Sequence, residues 1–161
     1  MRRRVFFIAA FLWMAVIFGL SARDDTASTE DSLFVARIAA ELLVPGFRDM
    51  PAGEQQALLE AIDHPVRKTA HFFEYTVLGV LLSGGFLAPE RGREAVRRQM
   101  FLAFLSGAVY AVSDELHQFF VPGRACMWQD VLLDSAGVLT GTLLCSAVLV
   151  CISAGTEGIF S

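Results

Sequence analysis

The stretch that decides the fold is MFLAFLSGAVYAVSDELHQFFVPGR, residues 100–124. Its first fourteen residues, Met100 to Ser113, carry no charged side chain, whereas the remainder contains Asp, Glu, His and Arg. An uninterrupted apolar run of this kind is typical of a helix that crosses a membrane. The polar residues at its end therefore predict either a membrane boundary or a site that pairs them.

Three other parts of the 161-residue chain, which is 55% hydrophobic, show similar runs. Each run has about the length, roughly 20 residues, that a membrane-spanning helix needs. The sequence therefore predicts an all-α membrane protein, a single domain over residues 1–161. Its four transmembrane helices are expected at about 5–22, 70–88, 100–121 and 131–152.

The first run has a second interpretation, because the basic MRRR start resembles that of a cleaved signal peptide. A cleavage site after Ala22 would need a small residue two positions earlier, where Leu20 stands. We therefore expect this helix to be retained.

The distribution of charge predicts the orientation. MRRR and PERGREAVRRQ, residues 89–99, hold seven of the thirteen Lys and Arg residues in two short segments. The long connection 23–67 has nine acidic residues against four arginines. By the positive-inside rule, both basic segments and both termini face the cytoplasm, and the loops 23–67 and 122–130 lie outside. A bacterial inner-membrane location agrees with this arrangement.

The outer connection contains two short apolar patterns, LFVARIAAELLV and EQQALLEAI, separated by Pro45, Gly46 and Pro51. They predict two short amphipathic helices that lie on the bilayer surface or cap the bundle. A lid over a site beneath them is the alternative interpretation.

Polar residues of different helices are expected at a similar depth. Glu74 lies fourteen residues before Ala88 and Asp114 fourteen after Met100, so each stands about 21 Å above the inner boundary. By the same rule Asp134 lies about 27 Å up. Ionised groups at this depth are costly unless they meet partners. We therefore predict a polar pocket beneath the outer face.

The residues of this predicted site fall into two groups. A histidine next to a carboxylate can act as acid or base, and arginine and lysine can hold a phosphate. The acids outnumber the bases, so some carboxyls hold protons or a cation completes the site. The predicted catalytic residues are His71, Glu74, Asp114 and His117, and the predicted binding residues are Lys68, Tyr75, Glu115, Gln118, Arg124, Asp130 and Asp134.

Two interpretations without chemistry stay open for these residues. Glu115 and Asp130 can be solvated at the membrane interface, and the whole set can be a structural polar network. Gly137 and Gly141 form a G-x-x-x-G pattern, which allows another helix to approach closely and permits oligomerisation.

Two blocks, KTAHFFEYTVLG and SDELHQFFVPGRACMWQDVLLDSAGVLTG, resemble the VanZ-like family of bacterial membrane proteins over about residues 66–145. That resemblance implies reduced susceptibility to lipid-anchored, teicoplanin-type glycopeptides as a family phenotype, and no settled reaction. The first helix ends in FGLSARDD, where Ser-Ser-Gln is more typical of the family. Because of this departure, no role is predicted for Ser21.

The leading hypothesis is a site for a cell-envelope lipid or another phosphate-bearing head group, with chemistry left open. Alternatives are a non-catalytic binding or transport module and a scaffold of an envelope complex. The expected partners are membrane lipids and not nucleic acid. No cofactor is predicted; a divalent metal on His71, His117 and two carboxylates is a minor alternative.

Overall fold

The structure is a computed structural model that describes residues 1–87, 92–124 and 126–157, without the side chains of 25–27 and 149–157. In these ranges the regular secondary structure is helical and no strand occurs, which confirms the predicted all-α class. The predicted end of the second span, Ala88, lies outside the described residues. The five α-helices are α1 (Arg2–Ser21), α2 (Asp25–Leu43), α3 (Ala52–Phe86), α4 (Arg93–Gln118) and α5 (Trp128–Glu157).

Two helices in the described part of the chain are long and apolar enough to cross a membrane: α1, over Arg2–Ser21, and the Trp128–Val148 part of α5. The same test of length and composition does not select α3 or α4. Both are long, but the polar residues His71 and Glu74 in α3, and Asp114 and Glu115 in α4, lower their mean hydropathy. Hydropathy therefore supports α1 and α5 as membrane-spanning helices, and the arrangement with four spans stays a proposal.

The segment between α1 and the predicted second transmembrane helix, residues 70–88, differs from the prediction. The first amphipathic pattern forms α2, but the second is the beginning of α3, which runs without interruption from Ala52 through Pro65. Proline inside a helix removes one backbone hydrogen bond. The Thr69 hydroxyl donates to the Pro65 carbonyl oxygen over 2.8 Å in the following turn. The prediction of two separate short helices was therefore wrong for the second.

α2 folds back against the first turns of α3. Ala36 and Ala40 are buried against Phe47 and Leu59, with a 3-10 turn over Phe47–Asp49 between the two helices. Gly46 precedes that turn with a positive φ of 77°, a conformation that glycine adopts readily. α2 is thereby held along α3, next to the end of the bundle where α4 turns into α5.

The closest helix contact is between α3 and α5 and depends on glycine. A Cβ atom at Gly137 would lie 2.5 Å from the Phe72 carbonyl oxygen, and one at Gly141 would lie 2.8 Å from the Val80 nitrogen. The glycine pattern therefore serves a contact within the chain, with α3 as the partner helix. Oligomerisation through this pattern stays a prediction.

Candidate functional site

Polar side chains from several helices converge at one end of the bundle, where α4 turns into α5; we call it the site end. Three pockets lie there, and His71 of α3 lines all of them. Arg124, in the turn between α4 and α5, lines the two larger pockets. Gly123 precedes Arg124 with φ 79°, which shapes the turn.

The first pocket, the α2 pocket, is a cavity of about 180 Å³ beneath α2. Its lining combines a few apolar side chains with groups of both charges. These polar residues are Arg23, Ser28, Asp31, Ser32, Arg67, His71, Glu74 and Arg124, and the apolar ones are Leu20, Val35, Val66 and Ala70.

Ionic contacts fix α2 over this pocket. Asp63 of α3 accepts hydrogen bonds from the Ser32 hydroxyl of α2 and from Arg67, the latter over 2.9 Å. Arg23 pairs with Asp31 of α2 at 2.5 Å. The wall that α2 contributes is therefore connected to both α3 and the end of α1.

The second pocket, the turn pocket, has a volume of about 160 Å³ and lies between α3 and the α4–α5 turn. It is lined by three cationic side chains, Arg67, Lys68 and Arg124, and one carboxylate, Asp130, which forms an ion pair with Lys68. An excess of cations suits an anionic group, and the planar guanidinium can hold two phosphate oxygens at once. The remaining lining residues are His64, His71, Gln118, Gly123 and Met127.

Behind these pockets, a buried hydrogen-bond network surrounds Asp114, which is 1% exposed. Its Oδ2 atom accepts from the Ser21 hydroxyl at 2.8 Å, the Tyr75 hydroxyl at 3.1 Å and the Gln118 amide nitrogen at 3.4 Å. The Gln118 carbonyl oxygen accepts from Arg124 over 3.1 Å. A continuous chain of hydrogen bonds therefore joins the buried carboxylate to the arginine of both larger pockets.

The third pocket, the inner chamber, is a small cavity of about 10 Å³, close to the space of one water molecule. Lys68, His71, Gln118, Leu133 and three acids, Glu115, Asp130 and Asp134, line it. Both Glu115 and Asp134 are almost fully buried, so the open alternative of a solvated Glu115 is wrong. One Glu115 oxygen accepts the Met127 backbone N–H over 2.6 Å.

Several buried oxygens of the cluster have no hydrogen-bond partner among the described residues. They are Oδ1 of Asp114, Oε2 of Glu115 and Oδ1 of Asp134. Glu115 and Asp134 line the same small chamber, so two of these acids are neighbours. An unpaired buried carboxylate oxygen costs free energy, and a polar network built only for stability would satisfy it.

The structure separates two predicted residues from the pockets. His117 lines none of the three; its ring stacks on Phe18 of α1, with centroids 4.2 Å apart. Tyr75 is fully buried and contacts Asp114 without facing a pocket. The other predicted site residues either line a pocket or belong to the Asp114 network. Their catalytic and binding roles stay predictions.

Three residues outside the predicted set complete the site. Ser21 is 1% exposed and donates the shortest hydrogen bond to Asp114, although its departure from the family pattern predicted no role. Arg23 and Arg67 line the α2 pocket. The only sequence signal for Ser21 and Arg23 is their position at the end of the first apolar run, at the depth of the polar cluster.

The divalent-metal alternative needs His71 and His117 together. His71 lines the pockets whereas His117 faces Phe18, so the two rings do not form one ligand set. In the parts of the chain that the structure describes, no group of three or more His, Cys, Asp or Glu side chains is arranged to hold a metal ion.

Fold and site together define a helical-bundle protein with a polar site at one end. The chain belongs to the VanZ/LLP1 family, whose model matches residues 6–150 and therefore includes the site end. This match confirms the resemblance seen in the two sequence blocks, and the family is membrane-associated. Among curated proteins and solved structures, no match to the chain was found.

Proposed function

We propose that the chain crosses the bacterial inner membrane four times, through α1, the second half of α3, α4 and α5. The site end then faces outward. In this position it binds a phosphate-bearing head group of a cell-envelope lipid. The observation that carries this proposal is that Arg124 and His71 line both the α2 pocket and the turn pocket.

The exposed side chains support an apolar surrounding. Phe11 of α1 is 71% exposed, Val109 of α4 is 60% exposed and Leu132 of α5 is 58% exposed. Apolar surfaces of this extent are unfavourable in water and normal in lipid. At the site end α2 exposes Phe34 and Leu42, so the apolar surface continues up to the pockets.

The chemistry of the pockets supports an anionic ligand. Arg67 and Arg124 line both larger pockets, and Lys68 lines the turn pocket beside Asp130. Guanidinium groups bind phosphate through parallel hydrogen bonds, and their strength increases where water is excluded. Since the pockets lie beside exposed apolar residues of α2, a head group can occupy them while its lipid chain stays in the bilayer.

The binding test compares two arginines of the site end. Arg124→Gln removes a charge from both pockets, whereas Arg37→Gln removes the same charge from an exposed position on α2 that lines none of the three pockets. The purified chain in detergent is titrated with polyprenyl phosphate and with uncharged diacylglycerol. Loss of a charge-assisted hydrogen bond of about 1.5–3 kcal/mol predicts roughly tenfold or greater weakening for Arg124→Gln. Equal affinities of the two variants would refute the site.

Catalysis is a separate part of the proposal. The imidazole of His71 lines both pockets and is therefore the candidate acid or base. Labelled envelope lipids are incubated with the intact chain and with His71→Ala, and the products are separated. A product that forms only with the intact chain supports an enzyme. Identical profiles would leave the non-catalytic binding module or scaffold as the function.

The family phenotype enters only as a further proposal. A site for lipid head groups in the outer leaflet would lie where lipid-anchored glycopeptides act. Expression of the intact chain is expected to reduce susceptibility to a teicoplanin-type drug, and expression of Arg124→Gln is not. Equal susceptibility with and without the intact chain would separate this protein from the phenotype.

A further inference from the structure

A pocket larger than the three at the site end lies at the opposite end of the bundle. It is an open cavity of about 750 Å³ between the beginning of α1, the end of α3 and the first turns of α4. Of the residues that the structure describes, the charged ones that line it are Arg3, Arg93, Arg98 and Glu94. Cations therefore exceed acids in this cavity, which we call the arginine pocket.

The wall of the arginine pocket is fixed where α1 meets α3. Arg3 donates from Nε to the Gly85 carbonyl oxygen over 2.9 Å, and Arg2 donates to that of Leu87 over 3.3 Å. Basic side chains near a helix end stabilise its last carbonyl groups. The bond from Nε also orients the guanidinium plane of Arg3 before any ligand arrives.

Apart from Gln99, the rest of the lining is apolar or glycine, and the apolar surface continues out of the pocket. Phe86 and Leu102 contribute to the wall, and Phe101 and Leu105 extend the apolar surface along α4 with exposed fractions of 59% and 43%. A ligand that matches this arrangement has an anionic group for the arginines and a hydrocarbon part for α4. Basic pockets between helices at a membrane face recognise phospholipid head groups in this way.

We propose that the arginine pocket binds the phosphate of an anionic phospholipid, in the leaflet opposite the site end. The proposal rests on the membrane-spanning arrangement proposed above, and not on a ligand in the α2 or turn pocket. Arg93 and Arg98 hold the phosphate oxygens together with Arg3, and the acyl chain lies along Leu102 and Leu105. Glycerophosphate alone lacks the apolar contact and binds weakly.

By the positive-inside rule, positive charge at this end also orients the protein in the membrane. The adjacent residues Arg97 and Arg98 allow this role to be distinguished from lipid binding. Both side chains are exposed on α4, but only Arg98 lines the arginine pocket. Arg97→Gln and Arg98→Gln change the net charge equally. A general attraction between the basic end and the membrane would respond to both substitutions alike.

The experiment measures binding of a fluorescent short-chain phosphatidylglycerol to the purified full-length chain in detergent. Competitors are unlabelled phosphatidylglycerol, phosphatidylcholine and glycerophosphate. We expect phosphatidylglycerol alone to compete strongly, Arg98→Gln to weaken binding about tenfold, and Arg97→Gln to change it less than twofold. The expected loss corresponds to one charge-assisted hydrogen bond.

Three outcomes would overturn the proposal. Equal effects of the two substitutions would assign binding to overall charge, and equal competition by phosphatidylcholine would remove the preference for an anionic head group. Equal competition by glycerophosphate would identify a soluble phosphate ester as the ligand. The two competition outcomes are measured with the intact chain, so a variant that fails to fold does not block the test. Polyprenyl phosphate binding by Arg124→Gln reports on the site end, whereas the comparison of Arg98→Gln with Arg97→Gln reports on the arginine pocket, so failure here is distinguishable from failure of the head-group site.

Discussion

Replacing Ser21 by alanine tests the buried network most directly. The Ser21 hydroxyl donates to Oδ2 of Asp114 over 2.8 Å, and both side chains are 1% exposed. In the alanine variant this oxygen keeps only Tyr75 at 3.1 Å and Gln118 at 3.4 Å as donors. A hydrogen bond to a charged group contributes about 1.5–3 kcal/mol. For a chain of this size 1 kcal/mol corresponds to roughly 2–4 °C, so Ser21→Ala should lower the Tm by about 3–12 °C.

The assay is thermal unfolding of the purified chain in one detergent, with two reference variants. Ser113→Ala removes an exposed hydroxyl that donates only to the Tyr110 carbonyl oxygen of its own helix, at 2.7 Å. Surface changes of this kind cost within about 0.5 kcal/mol. Ser21→Thr keeps a hydroxyl and should restore most of the Tm. If Ser21→Ala unfolds at the same temperature as Ser113→Ala, the network does not stabilise the fold and the reasoning is refuted.

A second readout connects the same substitution to the site. The Gln118 amide nitrogen lies within 3.4 Å of both Ser21 and Asp114, which leaves its carbonyl oxygen directed to Arg124. Loss of the Ser21 hydroxyl loosens this orientation. The affinity for polyprenyl phosphate should fall in Ser21→Ala, by less than in Arg124→Gln, and recover in Ser21→Thr. An unchanged affinity would limit Ser21 to a structural role.

Three further predictions concern packing, burial and orientation. Gly141→Ala forces α5 away from the α3 backbone and should lower the free energy of unfolding by about 1–3 kcal/mol. The control is Gly19→Ala, whose Cβ meets no atom within 4 Å and which should not destabilise the protein. Equal Tm values of the two variants would contradict the close contact. Asp134→Asn removes a buried carboxylate with an oxygen that has no partner among the described residues, so the variant should keep or raise the Tm. Each 1 kcal/mol gained in unfolding free energy corresponds to roughly 2–4 °C. A large decrease of the Tm would show that Asp134 has a structural role. A membrane-impermeant maleimide should label the exposed Cys126 in intact cells and leave Cys145 unlabelled, and labelling of Cys126 only after lysis would reverse the proposed orientation.

Apolar periodicity and length were sufficient to predict the helical class, because runs of roughly 20 apolar residues have few alternatives to a helix. The boundary between surface and spanning helix was not predictable in the same way. A proline inside a helix removes one backbone hydrogen bond, yet α3 continues through Pro65, and Leu59 of α3 packs on Phe47 of the 3-10 turn. The contacts that α2 and the 3-10 turn make with α3 therefore outweigh the tendency of the proline to interrupt the helix.

The site was predictable to the extent that depth and helical face determine it. Glu74 and Asp114 share a level, and His71 precedes Glu74 by one turn, so their convergence follows from spacing. Spacing does not say which neighbouring helix covers each face. α1 packs beside α4, so that His117 meets Phe18 while Asp114 meets Ser21, 93 positions earlier in the chain. A single serine at the end of an apolar run carries no signal for such a contact.

The unsatisfied acids bear on the alternative in which the polar residues form only a structural network. The ion pair of Lys68 with Asp130 offsets part of the cost of burying both charges. Asp114, Glu115 and Asp134 each keep a buried oxygen without a partner among the described residues, which lowers stability. Apolar residues of similar volume would pack there at a lower cost in free energy. On this reasoning stability alone does not account for the cluster, and an Asp134→Asn variant should be at least as stable as the parent; a markedly lower Tm would instead assign Asp134 to a structural network.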